Sequence, residues 1–278
     1  MTVDRSSILL ANETVHAALA SSGEYNKSPH FLQENQDKVR NVLEELKQAL
    51  GDGQHRLLDL GCGTGFIISL AHDLFSQIDG VDITQEMMDL VDLSPGNIFL
   101  HKSAAENVPF DSETFDMVTA YSFLDHLLAY EPVIQEAQRV LRTGGIFYSD
   151  LNPNRHFTTN LQNIQDFPNP PQVVSREIEG MLHNGDHYEE KYAIDAETLT
   201  NAEPIKSFDQ GFDPDEVCSF ARSIGFSQTD YRYDWYLGQA VMMHERDAGQ
   251  WLHVDEHLRL CLPATRGLFK YVRFVFRK

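Results

Sequence analysis

The chain of 278 residues is 42% apolar and 23% charged, the composition of a globular protein, which excludes a disordered or fibrous chain. Its 42 acidic side chains against 22 basic ones give a formal net charge of −20. Phosphate backbones and anionic headgroups would be repelled, so a small-molecule or cationic partner is favoured over nucleic acid or a membrane surface. Cys62, Cys218 and Cys261 show no paired spacing, no basic-then-apolar leader opens the chain, and the longest apolar runs fall far short of the ~20 residues of a bilayer span. The sequence reads as a reduced, cytoplasmic protein.

Residues 1–34 are polar and weakly periodic. Val39, Val42, Leu43, Leu46 and Leu50 then share one face of a helix over 38–50 that Gly51 and Gly53 stop, so 1–54 is expected to be an N-terminal helical cap. From there short apolar runs alternate with helical patterns: strand 55–60, helix 66–76, strand 77–82, helix 84–92, strands 97–101 and 115–121, helix 131–141, strand 146–151. Such alternation predicts an α/β fold, a doubly wound, mostly parallel sheet with helices on both faces, whose half over 55–151 binds a cofactor. Between 152 and 210 a stretch rich in Asn, Pro, Asp and His breaks the pattern. A structureless loop of that length is unusual in a compact domain, so an inserted lid with structure of its own is expected. Asp213 as N-cap and Pro214 at the first helical position restart a helix that ends at Gly225. Strand 227–235, a partly helical insertion at about 237–262 and an aromatic, β-branched strand over 269–276 complete the second half of the core, 211–278, and bring the sheet to seven strands.

The segment that carries chemistry is Leu57-Leu58-Asp59-Leu60-Gly61-Cys62-Gly63-Thr64-Gly65, a buried strand running into three alternate glycines and then a helix. Glycine lets the backbone turn sharply and lie against a ligand, and the helix N-terminus turns free N–H groups toward the crevice at the strand ends, where open α/β sheets bind ligands. A dinucleotide fingerprint would need Gly or Ala where Phe66 stands, so a pyrophosphate cradle is disfavoured. Asp82, 17 residues past Gly65 at the end of the second strand, is placed to accept hydrogen bonds from two ribose hydroxyls. Two readings of Asp59 stand: it orients a cationic ammonium group, or it caps the following helix.

These residues resemble the class I S-adenosylmethionine-dependent methyltransferases, over about Arg56–Leu151 with a weaker echo to Trp235. Leu58 through Gly65 look like the family's first motif, and Gly80-Val81-Asp82-Ile83-Thr84 like its ribose motif. Ala105-Glu106-Asn107-Val108-Pro109-Phe110 resembles the segment whose backbone meets the adenine. Phe115-Asp116-Met117-Val118 with Leu124-Asp125-His126-Leu127 resembles the fourth strand and its exit, and Arg139-Val140-Leu141-Arg142-Thr143-Gly144-Gly145 the turn before the fifth. Ala104 stands where the family often has an acidic residue, and Thr143 where proline is common. The resemblance implies a Rossmann-like fold and S-adenosyl-L-methionine as cofactor. It would be held by Asp59, Gly61, Cys62, Gly63, Gly65, Asp82, Ile83, Met87, Ala104, Ala105 and Glu106, with Tyr121 and Ser122 beside the sulfonium.

His126 is the candidate general base, against a purely structural histidine; Tyr25 is either a flap over the cofactor that could also serve as base or a hydrophobic anchor. Asn152, Asn154, His156, His183, His187 and Tyr188 of the lid, and Tyr231, Tyr233, Trp235 and Tyr236 of the later strand, are offered to an amine or aromatic acceptor, while core packing explains the aromatic strand equally well. His253 and His257 share a helix face without a third ligand, and no metal is expected. The reading is a lidded methyltransferase that acts on N or O of a small molecule. Its rivals are a peptide, protein or RNA acceptor, and a non-catalytic module that only binds the cofactor.

Overall fold

A computed structural model describes residues 4–22, 31–164, 168–179, 194–208, 210–244 and 250–278. Its centre is one seven-stranded sheet in the order β3-β2-β1-β4-β5-β7-β6. The strands are β1 (Arg56–Leu60), β2 (Gln77–Asp82), β3 (Ile98–Lys102), β4 (Phe115–Tyr121), β5 (Leu141–Pro153), β6 (Gln228–Tyr236) and β7 (Phe269–Arg277). β1 to β5 pair in parallel, and only β7 runs antiparallel to its neighbours β5 and β6. The order reverses between β1 and β4, so a crevice opens at the carboxyl ends of those two strands.

Because strand residues alternate in direction, each strand feeds two cores. On one face Leu58, Leu60, Val118 and Phe147 pack with Val133, Ile134, Ala137 and Val140 of α5 (Glu131–Val140) and with Val217 and Ala221 of α10 (Pro214–Ser223). On the other, Leu57, Ile78, Met117 and Tyr148 meet Val39 and Leu43 of α2 (Gln33–Ala49) and Ile67, Ile68 and Ala71 of α3 (Phe66–Ala71). Asp213 caps α10 as its sequence implies, its side chain accepting from the N–H groups of Asp215 and Glu216.

Several elements differ from the sequence expectation. Residues 1–34 contain α1 (Arg5–Ser22), an eighteen-residue helix. The helix expected over 84–92 is the single turn α4 (Gln85–Met88), and the one expected over 66–76 stops at Ala71. β5 runs two residues past the expected end of the cofactor half. There Asn152 donates to the Val272 carbonyl (2.9 Å), and Asn154 to the carbonyls of Arg266 (2.9 Å) and Phe269 (2.7 Å). These two asparagines pin β5 to β7 and its approach. The described part of 152–210 is helical: α6 (Arg155–Ile164), α7 (172–179), α8 (Ala196–Ala202) and α9 (Pro204–Phe208). α6 and α7 share a small core of Phe157, Leu161, Val174 and Ile178. Ala11 and Val15 of α1 pack with Ile194 and Ala202, so α1 and α8 form one cover beside the strand ends. The insertion near 237–262 holds α11 (Gln239–His244) and α12 (Gln250–Leu260). Among the described residues no helix is long and apolar enough to cross a membrane.

A buried ionic network ties β5, β6 and β7 together. Arg273 donates through Nε to Asp150 (2.7 Å) and through an η nitrogen to Asp234 (3.0 Å); Asp234 also pairs with Lys38 of α2. Both aspartates accept from the next residue's N–H, those of Leu151 and Trp235, whose φ values of 57° and 54° are left-handed. Those two kinks swing the carboxylates onto the arginine.

Candidate active site

At the end of β1 the chain enters the glycine loop with φ of +67° at Gly61, +50° at Gly63 and +85° at Gly65, conformations that side chains other than glycine rarely adopt. The N–H groups of Gly61 and Cys62 both donate to the Val81 carbonyl (2.8 and 3.0 Å), which staples the loop to β2. A Cβ on Gly61 would stand 2.1 Å from the Phe123 ring, so that ring lies directly against the loop. Cys62 turns its side chain into the core; a Cβ on Gly80 would lie 3.0 Å from its Sγ, and burial pushes its thiol well up. Only the Cys62 backbone belongs to the loop surface. Gly65 caps α3 beside Val91, behind the crevice.

Asp82 closes β2. Its Oδ2 accepts from Gly63 N–H (2.9 Å) and its Oδ1 from Thr84 N–H (2.8 Å), so both oxygens are fixed at the rim of the crevice and each keeps a lone pair. Burial raises its pKa despite those bonds. Asp59 lies deeper, 2% exposed, and accepts from Thr119 Oγ1 (2.7 Å), its neighbour across the β1–β4 pairing. Burial pushes its carboxyl up to about 7, against the pull of the Thr119 bond, and the nearby Asp82 adds to the rise. Asp59 makes no contact that caps α3; the cap position is Gly65, which offers no side chain.

The crevice is a cleft at the carboxyl ends of β1, β2 and β4. It joins Gly61, Gly63 and Asp82 to Ile83 and Met87 on one side, to Ala104, Ala105 and Glu106 on another, and to Ser122 and His126 beyond β4. The sequence-predicted residues Asp59, Cys62, Gly65 and Tyr121 do not line it, and Tyr25, His183, His187 and Tyr188 lie outside the described residues. Parity explains Tyr121. On β4 it faces the same way as Met117 and Thr119, toward α2 and α3, where it stacks on Phe66 (4.8 Å) and accepts from Asn35 Nδ2 (2.8 Å). Ser122 then turns at φ +49°, a left-handed non-glycine residue of the kind found at functional sites, and opens onto the cleft. Tyr233 and Tyr236 pack in the core, Tyr233 stacked on Phe269 (5.9 Å), and no residue of β6 lines the cleft.

Sequence reasoning missed α1, which supplies Leu9, Asn12 and His16 to the cleft wall. Its signal was present: Ile8, Ala11, Asn12 and Val15 are its buried positions, a helical spacing, but with an asparagine in the stripe. His126 sits in a short 3₁₀ turn, Leu124–His126, after β4. Its Nδ1 lies 2.8 Å from the Ala202 carbonyl, which can only accept, so Nδ1 carries a proton and Nε2 is the ring nitrogen left for other partners. His16 packs edge-on to it with ring centroids 4.9 Å apart, and burial pushes the His16 imidazole down to about 3, keeping it neutral.

No lysine or arginine lines the cleft among the described residues, whereas Asp82 and Glu106 do, the latter paired with Arg5 (3.1 Å). Such a cleft suits hydroxyls and cationic groups and repels phosphates. It therefore fits an adenosyl sulfonium better than a dinucleotide.

Residues 58–149 match the methyltransferase domain family. With the strand order and glycine loop described above, this core is a class I S-adenosylmethionine-dependent methyltransferase domain. Over 153 residues the chain is 29% identical to (+)-O-methylkolavelool synthase of Herpetosiphon aurantiacus, covering 50% of each chain. Over 105 residues it is 30% identical to a ubiquinone biosynthesis O-methyltransferase of Burkholderia vietnamiensis, covering 36% of this chain and 45% of that one. The chain thus spans about half the length of these relatives. A structure of Haemonchus contortus phosphoethanolamine N-methyltransferase 2, which contains S-adenosylhomocysteine, superimposes with a TM-score of 0.50 at 14% identity, over 86% of this chain and 52% of that one. That likeness is one of fold.

Proposed function

We propose that the chain transfers a methyl group from S-adenosylmethionine to nitrogen or oxygen of a small-molecule acceptor. The observation that carries this reading is Asp82, whose two oxygens are held by the Gly63 and Thr84 N–H groups at the rim of a cleft that no lysine or arginine lines among the described residues. Asp82 would take the ribose hydroxyls, Ile83 and Met87 would wall the adenine and Ala104 to Glu106 would meet its edge, while the glycine loop admits the amino-acid end. Asp59 acts from beneath, as a charge under the loop. When bound, the cofactor supplies an electrophilic methyl carbon, whose displacement needs alignment and a dry pocket more than an acid. The α1 and α8 cover supplies the closure, with α1 forming cleft wall, and His126 Nε2 supplies a base at the acceptor end.

Calorimetric titration with S-adenosylmethionine tests the site. Asp82→Ala should weaken binding by about 1.5–3 kcal/mol through loss of hydrogen bonds to a charged group; unchanged affinity in a folded variant would reject the assignment. Incubation with methyl-labelled cofactor and fractionated metabolites then identifies the acceptor. On that acceptor, His126→Gln should lower kcat about a hundredfold. A full-rate variant would leave His126 structural.

A further inference from the structure

The two ends of the cleft differ in charge. Asp82 and Glu106, the carboxylates that line it, both stand on the β2–β3 side, and Glu106 is tied there to Arg5 at the start of α1 (3.1 Å). From that point α1 runs along the cleft to the exit of β4, where Asn12 Nδ2 donates to the His126 carbonyl (3.0 Å) and His16 lies edge-on to the His126 ring. The helical rise from Arg5 to His16 is roughly 16 Å, so the two ends are well apart. At the β4 end the walls are Phe123, Leu127 and Leu9, the last standing one turn before Asn12, and the polar groups are Ser122, Asn12 and the two imidazoles. Among the described residues no carboxylate, lysine or arginine lines that end. Charges near the His126 turn are settled behind the wall: Glu203 pairs with Lys206 (2.6 Å), and neither of them nor the buried Asp125 lines the cleft.

An ion entering the β4 end would exchange water for a wall without a counter-charge, which is costly. A carboxylate or phosphate would also meet the repulsion of a chain of net charge −20. That net charge draws an ammonium toward the protein but supplies it no partner inside. An alkylamine could enter uncharged only by leaving its proton in the solvent, a penalty of about a thousandfold in affinity at pH 7 for a group with a lysine-like pKa. A hydroxyl compound carries no charge, brings one O–H that an imidazole Nε2 can accept, and leaves its carbon body to Leu9, Phe123 and Leu127.

We infer that the methyl acceptor is an uncharged hydroxyl compound with an apolar body, held at the β4 end between Leu9, Phe123 and Leu127 with its oxygen at His126. This rests on the methyl-transfer reading above, which seats ribose and adenine on the β2–β3 side, and narrows it from nitrogen or oxygen to oxygen. The hydroxyl proton passes to His126 Nε2 as the oxygen forms its bond to the methyl carbon and the C–S bond breaks with its electron pair on sulfur. The products are an uncharged ether, an uncharged thioether and an imidazolium that returns its proton to water. The positive charge that the sulfonium brings in therefore leaves as that proton, and the uncharged wall holds no ion at the end of the reaction.

The probes are hexanol, hexylammonium and hexanoate, chains of one length that differ in charge, titrated by saturation-transfer NMR into protein loaded with S-adenosylhomocysteine at about 150 mM salt, where long-range attraction is screened. Hexanol is expected to bind saturably, about tenfold or more tighter than either ion. Leu127→Ala should weaken hexanol about fivefold. Leu9→Asp, at a partly buried position that the fold tolerates more easily, sets a carboxylate in the wall and should reverse the order in favour of hexylammonium. Cooperative thermal unfolding checks that both variants are folded. Equal or tighter binding of either ion by the wild-type protein, or no saturable binding of hexanol, would overturn the inference. So would a hexanol affinity that neither substitution moves, because the alcohol would then lie outside the cleft. Failure of the wild-type protein to bind S-adenosylhomocysteine would instead count against the methyltransferase reading itself.

Discussion

Replacing Arg273 with methionine is expected to cost about 3–5 kcal/mol of folding stability, the usual consequence of stranding buried charges by removing their partner. Arg273 is 8% exposed, and Asp150 and Asp234 are 1% and 4% exposed. The two carboxylates do not lose equally. Asp234 would keep Lys38 and a more distant Arg259 (3.7 Å), whereas Asp150 would keep only neutral donors, Tyr148 Oη (2.9 Å) and the Leu151 N–H. Asp150→Asn added to Arg273→Met should therefore recover part of the deficit, because it removes the charge left unpaired. Urea denaturation of wild type, the two single variants and the double variant measures both the loss and the recovery. A single-variant loss below about 1 kcal/mol would mean that the network is dispensable. The consequence for function is indirect but specific: the same network anchors Lys38 of α2, the helix whose Asn35 holds Tyr121 at the end of β4. Destabilisation at the sheet's antiparallel side should thus loosen the strand end that opens onto the cleft.

The parallel half of the molecule was legible in the sequence because both of its periods are strong there. β2 and β4 begin and end where alternation and flanking turns put them, Asp213 and Pro214 start α10, and the glycine loop with Asp82 stands at the crevice. What was lost was lost for identifiable reasons. α1 hid because Asn12 interrupts its buried stripe, although that asparagine is buried for its bonds to Ile8 and His126. Tyr121 and Ser122 looked equivalent as neighbours at a strand exit, but strand parity sends Tyr121 to the far face and a left-handed backbone sends Ser122 to the cleft. Asn152 and Asn154 looked like lid polar groups and are strand pins, since β5 continues past a bulge between Ser149 and Asn152 before the chain leaves the sheet. Glu203 carried no local signal at all; only the packing of α9 on the His126 turn brings it near.

Asp59→Asn should make the unliganded protein more stable at neutral pH while uncoupling cofactor binding from proton release. The Asp59 carboxyl is pushed from 3.8 up to about 7 in the folded chain, chiefly by burial. Below about pH 4 it is protonated in both folded and unfolded states and contributes nothing. Between about pH 4 and 7 the unfolded chain gives up the proton and the folded chain keeps it, so folding stability falls as pH rises, by about 1.4 kcal/mol per unit for the one proton retained. Above about pH 7 the loss is complete, of the order of 4 kcal/mol as an upper bound set by the size of the shift. An asparagine side chain keeps the acceptor for Thr119 Oγ1 and has nothing to ionise. Any fixed cost of its extra N–H groups is independent of pH, so the test is the slope: the stability of the Asp59→Asn protein relative to wild type should climb from pH 4 to pH 7 and then level. Asp82, whose pKa burial also raises, is unchanged in the variant, so the difference belongs to Asp59. A cation seated over the glycine loop would favour ionised Asp59 and drive its proton off. Titrating S-adenosylmethionine near pH 6 in buffers of different ionisation enthalpy should show proton release by wild type and less by the variant. Parallel stability curves for the two proteins would show that Asp59 is already ionised beneath the loop, and equal proton release would place the charge that answers the cofactor elsewhere in the cleft.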